Sequence, residues 1–329
     1  MRLKQPLWVL CGSILLASVL LYGIGSVLLY EKLSHLPPGY RGFLGNTPGC
    51  FTHFSEEISA LDARPYFMPQ YQAIYFPSRT HGITLSGWWI PGRKTFPAII
   101  IVHGYLTSKA DPRVLMMASL LHRHGFNTLV LDLRDNGAST IEDSRSSLGT
   151  KEYLDVLGAK DWLVRQGFSP EAIGLAGGSM GAATVLIAFQ KDPHFKAVFS
   201  DSSYASLVEA VKEELKHRHY SPFFAYGGIL AGYFISGDKL WQESPLNAMD
   251  ALSGRAVMLV HSTADPVVSF WHPRQLINKA LKNNQVQVQT WFHTLPGHCN
   301  AILLETPLYE SKLISFFEGA FKTRDIEKK

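Results

Sequence analysis

The sequence predicts an α/β fold: a mostly parallel sheet with helices on both faces, preceded by one membrane-crossing helix. Three observations carry this. Short apolar runs of strand length alternate with helical patterns from about residue 98 to residue 322, the mark of βαβ units. A Gly-x-Ser-x-Gly stretch, Gly177 to Gly181, lies between one such strand and one such helix. Leu7 to Tyr30 holds no charged residue over a length sufficient for a bilayer.

Size and composition allow one large α/β domain plus an appendage: the chain has 329 residues, 46% hydrophobic and 18% charged. The net charge is +4, and the basic residues are scattered rather than grouped, which argues against a nucleic-acid partner. Cys11, Cys50 and Cys299 form no CxxC, so neither a disulfide framework nor a zinc ribbon is expected. A Cys50–Cys299 bond would need an oxidising compartment.

As a helix, Leu7 to Tyr30 would run roughly 36 Å, enough to cross a hydrocarbon core of about 30 Å with some tilt. Arg2 and Lys4 precede it, which places the N-terminus in the cytoplasm and the large domain on the non-cytoplasmic side. The apolar run is longer than the h-region of a cleaved signal peptide, and only Gly23-Ile24-Gly25 offers a weak cleavage site. The reading is an uncleaved, single-pass signal anchor over residues 1–33. Residues 34–70 are rich in Pro, Gly and aromatics and read as a linker and N-terminal extension.

The domain proper then runs over residues 71–329. Tyr71 to Phe76 and Ile83 to Ile90 alternate as a hairpin around Arg79-Thr80-His81-Gly82, and Trp88-Trp89 reads as packing. Strands are expected at Ala98 to Val102, Thr128 to Asp132, Ile173 to Ala176, Ala197 to Ser200, Val257 to His261 and Val286 to Phe292. Helices are expected at Pro112 to His124, Glu152 to Gln166, Met180 to Gln190 and Ser311 to Lys322. An interruption at about 202–253 holds a polar helix, Leu207 to Arg218, and the apolar stretch Pro222 to Ile235. That stretch is short for a membrane span and broken by glycines, so it reads as a cap over the strand ends. Tyr204, Phe223, Phe224 and Tyr226 are its candidate substrate-binding residues, against the alternative of ordinary subdomain packing.

In a parallel sheet the active site forms at the carboxyl ends of the strands. Ser179 sits at such an end, where a sharp turn leaves no room for side chains two residues before or after it. Asp265 follows the Val257 strand and His298 follows the Val286 strand. A serine hydroxyl is a weak nucleophile without a base, so His298 would take its proton while Asp265 holds the imidazole tautomer. The loop His103-Gly104-Tyr105 follows the Ala98 strand, and the backbone N–H groups of Tyr105 and Met180 are the candidate oxyanion hole.

From about Tyr71 to Phe321 the sequence resembles the α/β-hydrolase superfamily. Gly87-Trp88-Trp89-Ile90-Pro91, His103-Gly104, Asp132-Leu133-Arg134-Asp135-Asn136-Gly137-Ala138-Ser139, Gly177-Gly178-Ser179-Met180-Gly181 and Ala264-Asp265-Pro266-Val267-Val268 are similar to bacterial BEM46-like and prolyl-oligopeptidase-like esterases. The resemblance implies an eight-stranded sheet, a Ser-Asp-His triad and no cofactor. Gly178 stands where a larger residue is common, and His261-Ser262 where His-Gly is common.

The remaining candidates have plainer readings. Asp132 and Asp135 would brace a turn, and His103 would shape the oxyanion loop. Asp201 is a second candidate for the acid. His122-x-His124 and His217-x-His219 read as surface histidines, so no metal site is expected. Cys299 reads as a small buried residue beside His298. Together these features predict a membrane-anchored serine hydrolase acting on a carboxylic ester, with a small-molecule or lipid-like acyl substrate and no cofactor. The alternatives are an amide or peptide hydrolase, a thioesterase or acyltransferase, and a catalytically silent binding protein of the same fold.

Overall fold

The structure, a computed structural model, describes residues 7–37, 45–52, 61–250, 252–283 and 288–322. Helix α1 (Leu7–Ser34) comes first, and the hairpin strands β1 (Gln72–Pro77) and β2 (Thr84–Ile90) open the sheet. Then follow β3 (Ala98–Val102), α2 (Pro112–Arg123), β4 (Asn127–Leu131), α3 (Tyr153–Arg165), β5 (Ile173–Gly178), α4 (Met180–Lys191) and β6 (Ala197–Asp201). Two helices, α5 (Leu207–His217) and α6 (Phe224–Ser236), interrupt the alternation. The chain ends with β7 (Ala256–Ser262), α7 (Trp271–Lys282), β8 (Val288–His293), α8 (Ala301–Leu304) and α9 (Thr306–Lys322).

The strands form one eight-stranded sheet in the order β1-β2-β4-β3-β5-β6-β7-β8. Only the β1–β2 and β2–β4 pairs are antiparallel; the rest are parallel. Helices cover both faces, which is why the central strands read as unbroken apolar runs. Every residue of β3 and of β4 is buried. On one face Leu157 of α3, Leu186 and Phe189 of α4 and Leu276 of α7 share a core. On the other, Leu115 and Leu120 of α2 pack with Phe316 and Phe317 of α9. Asp111 caps α2 by accepting the Arg113 N–H at 2.8 Å, with Pro112 at the first helical position.

The last strand is described from Val288; Val286, where it was expected to begin, lies outside the described residues, as do Arg2, Lys4, 38–44 and 53–60. Within the described part of 34–70, Phe51 and Met68 are buried in the α2/α9 core and Asn46 donates to the Ala110 carbonyl. The three cysteines are free, with Cys50 exposed. Trp89 packs edge-on against Trp162 and Phe168, as a structural role requires.

The turn after β4 is a polar brace. The Asp132 carboxylate accepts the backbone N–H groups of Lys109 and Ala138 and pairs with the Lys109 ammonium. Asp135 accepts three successive N–H groups, from Glu142, Asp143 and Ser144. Buried Arg134 pairs with fully buried Asp155 of α3 at 2.6 Å.

A third apolar cluster lies in the cap. It joins Leu207, Val211 and Leu215 of α5 to Ala225, Ile229 and Ala231 of α6, and it includes Tyr30 of α1 and Val268. The last three turns of α1 thus belong to the cap's own packing.

Candidate active site

Ser179 stands between β5 and α4 with φ 56° and ψ −125°, a conformation that L side chains rarely adopt. The glycines on either side have steric reasons. A Cβ on Gly181 would come 2.3 Å from the Val102 carbonyl oxygen, and one on Gly177 would come 2.6 Å from the Gly181 backbone. Gly178 meets only Cys299 Sγ, at 3.5 Å, so that position has room for a larger residue. The Asp201 carbonyl accepts the Ser179 N–H at 2.9 Å and ties the elbow to β6.

Asp265 and His298, the expected acid and base, lie in hydrogen-bond contact. His298 Nδ1 donates to Asp265 Oδ2 at 2.7 Å. The other carboxylate oxygen accepts the N–H groups of Val267 at 2.8 Å and Val268 at 3.0 Å. Burial alone would raise the Asp265 pKa, but the His298 hydrogen bond and these N–H groups hold it below the ordinary carboxylate value. Burial also opposes a charged His298, yet the neighbouring Cys299 and Asp265 outweigh it and raise the His298 pKa above the usual histidine value. His298 Nε2 is buried with no hydrogen-bond partner, and no bond joins it to Ser179 among the described residues. Ser179 and His298 line the same pocket.

That pocket is a cavity of about 100 Å³. Val102, Gly104, Tyr105 and Thr107 line it together with Asp201, Cys299, Ile302 and Tyr309. Asp111 and Arg113 line it from the start of α2. Met180 is the first residue of α4, so its N–H has no acceptor inside the helix. Tyr105 lies in the turn after β3, whose shape is held by His103. The buried His103 ring bonds the Gly104 carbonyl through Nδ1 at 2.8 Å and accepts the Leu133 N–H through Nε2 at 3.1 Å. Burial lowers its pKa and keeps it neutral.

Asp201, the second candidate acid, bonds Ser202 and Tyr309 rather than His298. Burial pushes its pKa up to about 6.

None of the four cap residues expected to bind substrate lines the pocket that holds Ser179 and His298. Phe223 and Phe224 pack on Tyr22 of α1, with ring centroids 4.8 and 5.3 Å apart. Tyr226 is exposed beneath the Lys212 ammonium. Tyr204 is buried, and its hydroxyl donates to the Leu148 carbonyl. Asp111, Arg113, Ile302 and Tyr309, which line the pocket beside Ser179 and His298, were missed in the sequence. The Asp-Pro-Arg helix start at 111–113, directly downstream of the His103 loop, was the one available signal.

Comparison with known proteins agrees with this architecture. The profile of peptidase S9, the prolyl oligopeptidase family, matches residues 112–323. A polyketide transferase of Stachybotrys chlorohalonatus is 30% identical over 128 residues, covering 39% of this chain and 43% of that one. A thiohydrolase of Aspergillus aculeatus is 29% identical over 40% of this chain and 41% of its own. The chain thus matches about two-fifths of the length of these curated relatives. Among solved structures, an esterase of Pyrococcus furiosus superposes with a TM-score of 0.63 at 20% identity, over 84% of this chain and 97% of that one.

Proposed function

The chain belongs to the prolyl oligopeptidase family of α/β-hydrolases, and on that premise we propose that it cleaves a carboxylic ester through an acyl-enzyme on Ser179. The observation that carries this reading is the His298–Asp265 hydrogen bond at the rim of the pocket that also holds the strained Ser179. His298 Nε2 takes the Ser179 proton as the hydroxyl attacks the acyl carbon. The imidazolium, stabilised by Asp265, then gives that proton to the leaving oxygen. The backbone N–H groups of Tyr105 and Met180 receive the developing oxyanion, a contribution of about 10²–10³ in turnover per donor in comparable sites. Water repeats the sequence to release the acid and regenerate Ser179.

The cavity supports a short acyl group. At about 100 Å³ it is small against the roughly 300–1,000 Å³ of pockets that bury drug-sized ligands. The span of the match to the Pyrococcus esterase, nearly that protein's whole length, also supports an ester over a peptide. Helix α1 anchors the enzyme in a membrane: Trp8–Ser34 has a mean hydropathy of 2.1 and is 6% buried over its most apolar window. Arg2 and Lys4 ahead of the helix support a hydrolase domain on the non-cytoplasmic side.

The test is labelling with a fluorophosphonate on the detergent-solubilised protein and on Ser179→Ala. Labelling of the wild type alone supports the nucleophile, and a folded wild type that stays unlabelled overturns it. A series of p-nitrophenyl esters and matched anilides then separates ester from amide cleavage, with fastest turnover expected for short acyl esters. Protection of the large domain from protease in intact cells would reverse the proposed orientation.

A further inference from the structure

Helix α6 carries an apolar face that neither the hydrolase core nor the pocket uses. Phe223 at its start is 62% exposed, Leu230 50% and Phe234 77%, and Tyr226 and Tyr233 are exposed beside them. These positions follow a helical stripe along the whole element. Its opposite side, made of small residues, is packed against α1. Gly25 faces Phe224, Ser26 faces Gly227 and Leu29 faces Gly228 at contact distance, while Tyr30 lies against Gly232. The Tyr22 hydroxyl donates to the Phe223 carbonyl at 3.1 Å, and the Tyr30 hydroxyl lies 2.6 Å from Ser236 Oγ. The contacts advance in the same direction on both helices, so α1 and α6 run parallel.

We infer that α6 is a second membrane element, a short helix running alongside α1 whose exposed face seats in the lipid bilayer that α1 crosses. The inference rests on the anchor reading of α1. A hydrocarbon core of about 30 Å needs about 20 helical residues. Counted from Trp8, such a span ends near Val27 and Leu28, level with Gly227 and Gly228 of α6. The first turns of α6 therefore share the depth of the last turns of the span. The exposed faces of the two helices are continuous, since Ile24, Val27 and Leu28 are exposed on α1 beside the joint.

At 13 residues α6 is too short to cross on its own; beside the last turns of α1 it runs from the acyl region out to the headgroup boundary. Its Phe and Tyr side chains match that boundary. Lys212 lies over the Tyr226 ring, with its centroid 4.5 Å away, and exposed Lys216 and Arg218 precede the helix. Such long cationic side chains reach headgroups from apolar stems. At the body end the joint turns polar, where Ser236 donates to Asp238 and Arg145 pairs with Glu31 at 2.8 Å. The cap cluster that carries α6 also contains Val268, three residues beyond Asp265, so this contact holds the acid loop close to the lipid surface.

The test reads depth and does not depend on catalysis. In a background with Cys11, Cys50 and Cys299 changed to serine, single cysteines are placed by Leu230→Cys and Phe234→Cys on α6. Leu16→Cys on α1 and Lys94→Cys on the hydrolase body serve as controls. Each full-length protein is labelled with nitrobenzoxadiazole and reconstituted in phosphatidylcholine vesicles with doxyl-labelled lipid or with aqueous iodide. The expected result is loss of emission to the lipid nitroxide at 16, 230 and 234, and to iodide at 94. Nitroxide quenching at 16 with iodide quenching at 230 and 234 overturns the inference and leaves the anchor standing. Iodide quenching at all four sites removes the anchor and the inference with it. Protection at 230 and 234 from both quenchers, relieved by dilution into more vesicles, assigns the face to a second copy of the chain and overturns the lipid contact.

Discussion

His298 Nδ1 and Asp265 Oδ2 lie 2.7 Å apart, and the second oxygen of the same carboxylate is fixed by two backbone N–H groups. The carboxylate therefore cannot rotate away from the imidazole without breaking the turn at Val267 and Val268. An amide in its place would offer the ring the wrong tautomer. Asp265→Asn is expected to lower kcat by on the order of 10⁴ with little change in KM. Steady-state kinetics on a short ester checks this; a loss below tenfold would remove Asp265 as the group that orients and stabilises His298.

The same loop sets a pH dependence. The proposed mechanism needs neutral His298, and its pKa is raised by Cys299 and Asp265. The acidic limb of kcat/KM should therefore lie above the ordinary histidine value of about 6.5, with activity rising through neutrality. Cys299→Ala should move that limb to lower pH. The linked effect on folding has the opposite sense. A raised folded-state pKa adds stability that is fully present below about 6.5 and is lost as pH rises through the folded value. A pH–rate profile and a denaturation series on both proteins measure the two effects.

The elbow predicts an asymmetry among its glycines. Gly178→Ala has only Cys299 Sγ nearby at 3.5 Å and should fold normally. Gly181→Ala drives a methyl to 2.3 Å from the Val102 carbonyl and should lose at least about 1–3 kcal/mol. Ser179→Gly should be more stable than Ser179→Ala, because only glycine adopts φ 56° and ψ −125° at little cost, while strain of this kind is worth of order 1–3 kcal/mol. Urea unfolding of the four variants reads these differences directly.

The Arg134–Asp155 pair is buried on both sides, with side-chain exposures of 2% and 0%. Asp155→Ala should cost about 3–5 kcal/mol, since it leaves the buried guanidinium with only the partly exposed Glu142, at 3.2 Å, as an ionic partner. An apolar pair, Arg134→Met with Asp155→Leu, should recover most of that loss. Equal instability of the single and double variants would mean that the neighbouring Ser78 and Thr80 contacts dominate.

What the sequence made legible divides by the range of the physics involved. The elbow could be read because its requirement is local: Gly177, Ser179 and Gly181 lie within five residues and each has a steric reason. Asp265 and His298 could be placed because each directly follows an apolar strand, and parallel strands all end on one side. The Asp132 brace was legible for the same reason. That Phe223, Phe224 and Tyr226 lie outside the Ser179 pocket was not legible, because a run of apolar residues looks the same whether it meets a substrate, a lipid or another helix. Its partner residues, Tyr22 to Tyr30, stand about two hundred positions earlier in the chain. Arg113 and Tyr309 were missed because they reach the pocket from helices that carry no motif.

Tyr30 is a core residue of the cap and not a point on a tether. Removing the N-terminal helix is consequently a different operation from clipping a leader. A peptidase acting between Gly23 and Gly25 would have to work at a packed joint where Gly25 touches Phe224. A cut beyond Leu33 would take Leu29, Tyr30 and Leu33 out of a folded interior. Release into the aqueous compartment would thus leave an open wound in the cap beside the acid loop, so a soluble, leaderless form should be recoverable only as a damaged enzyme.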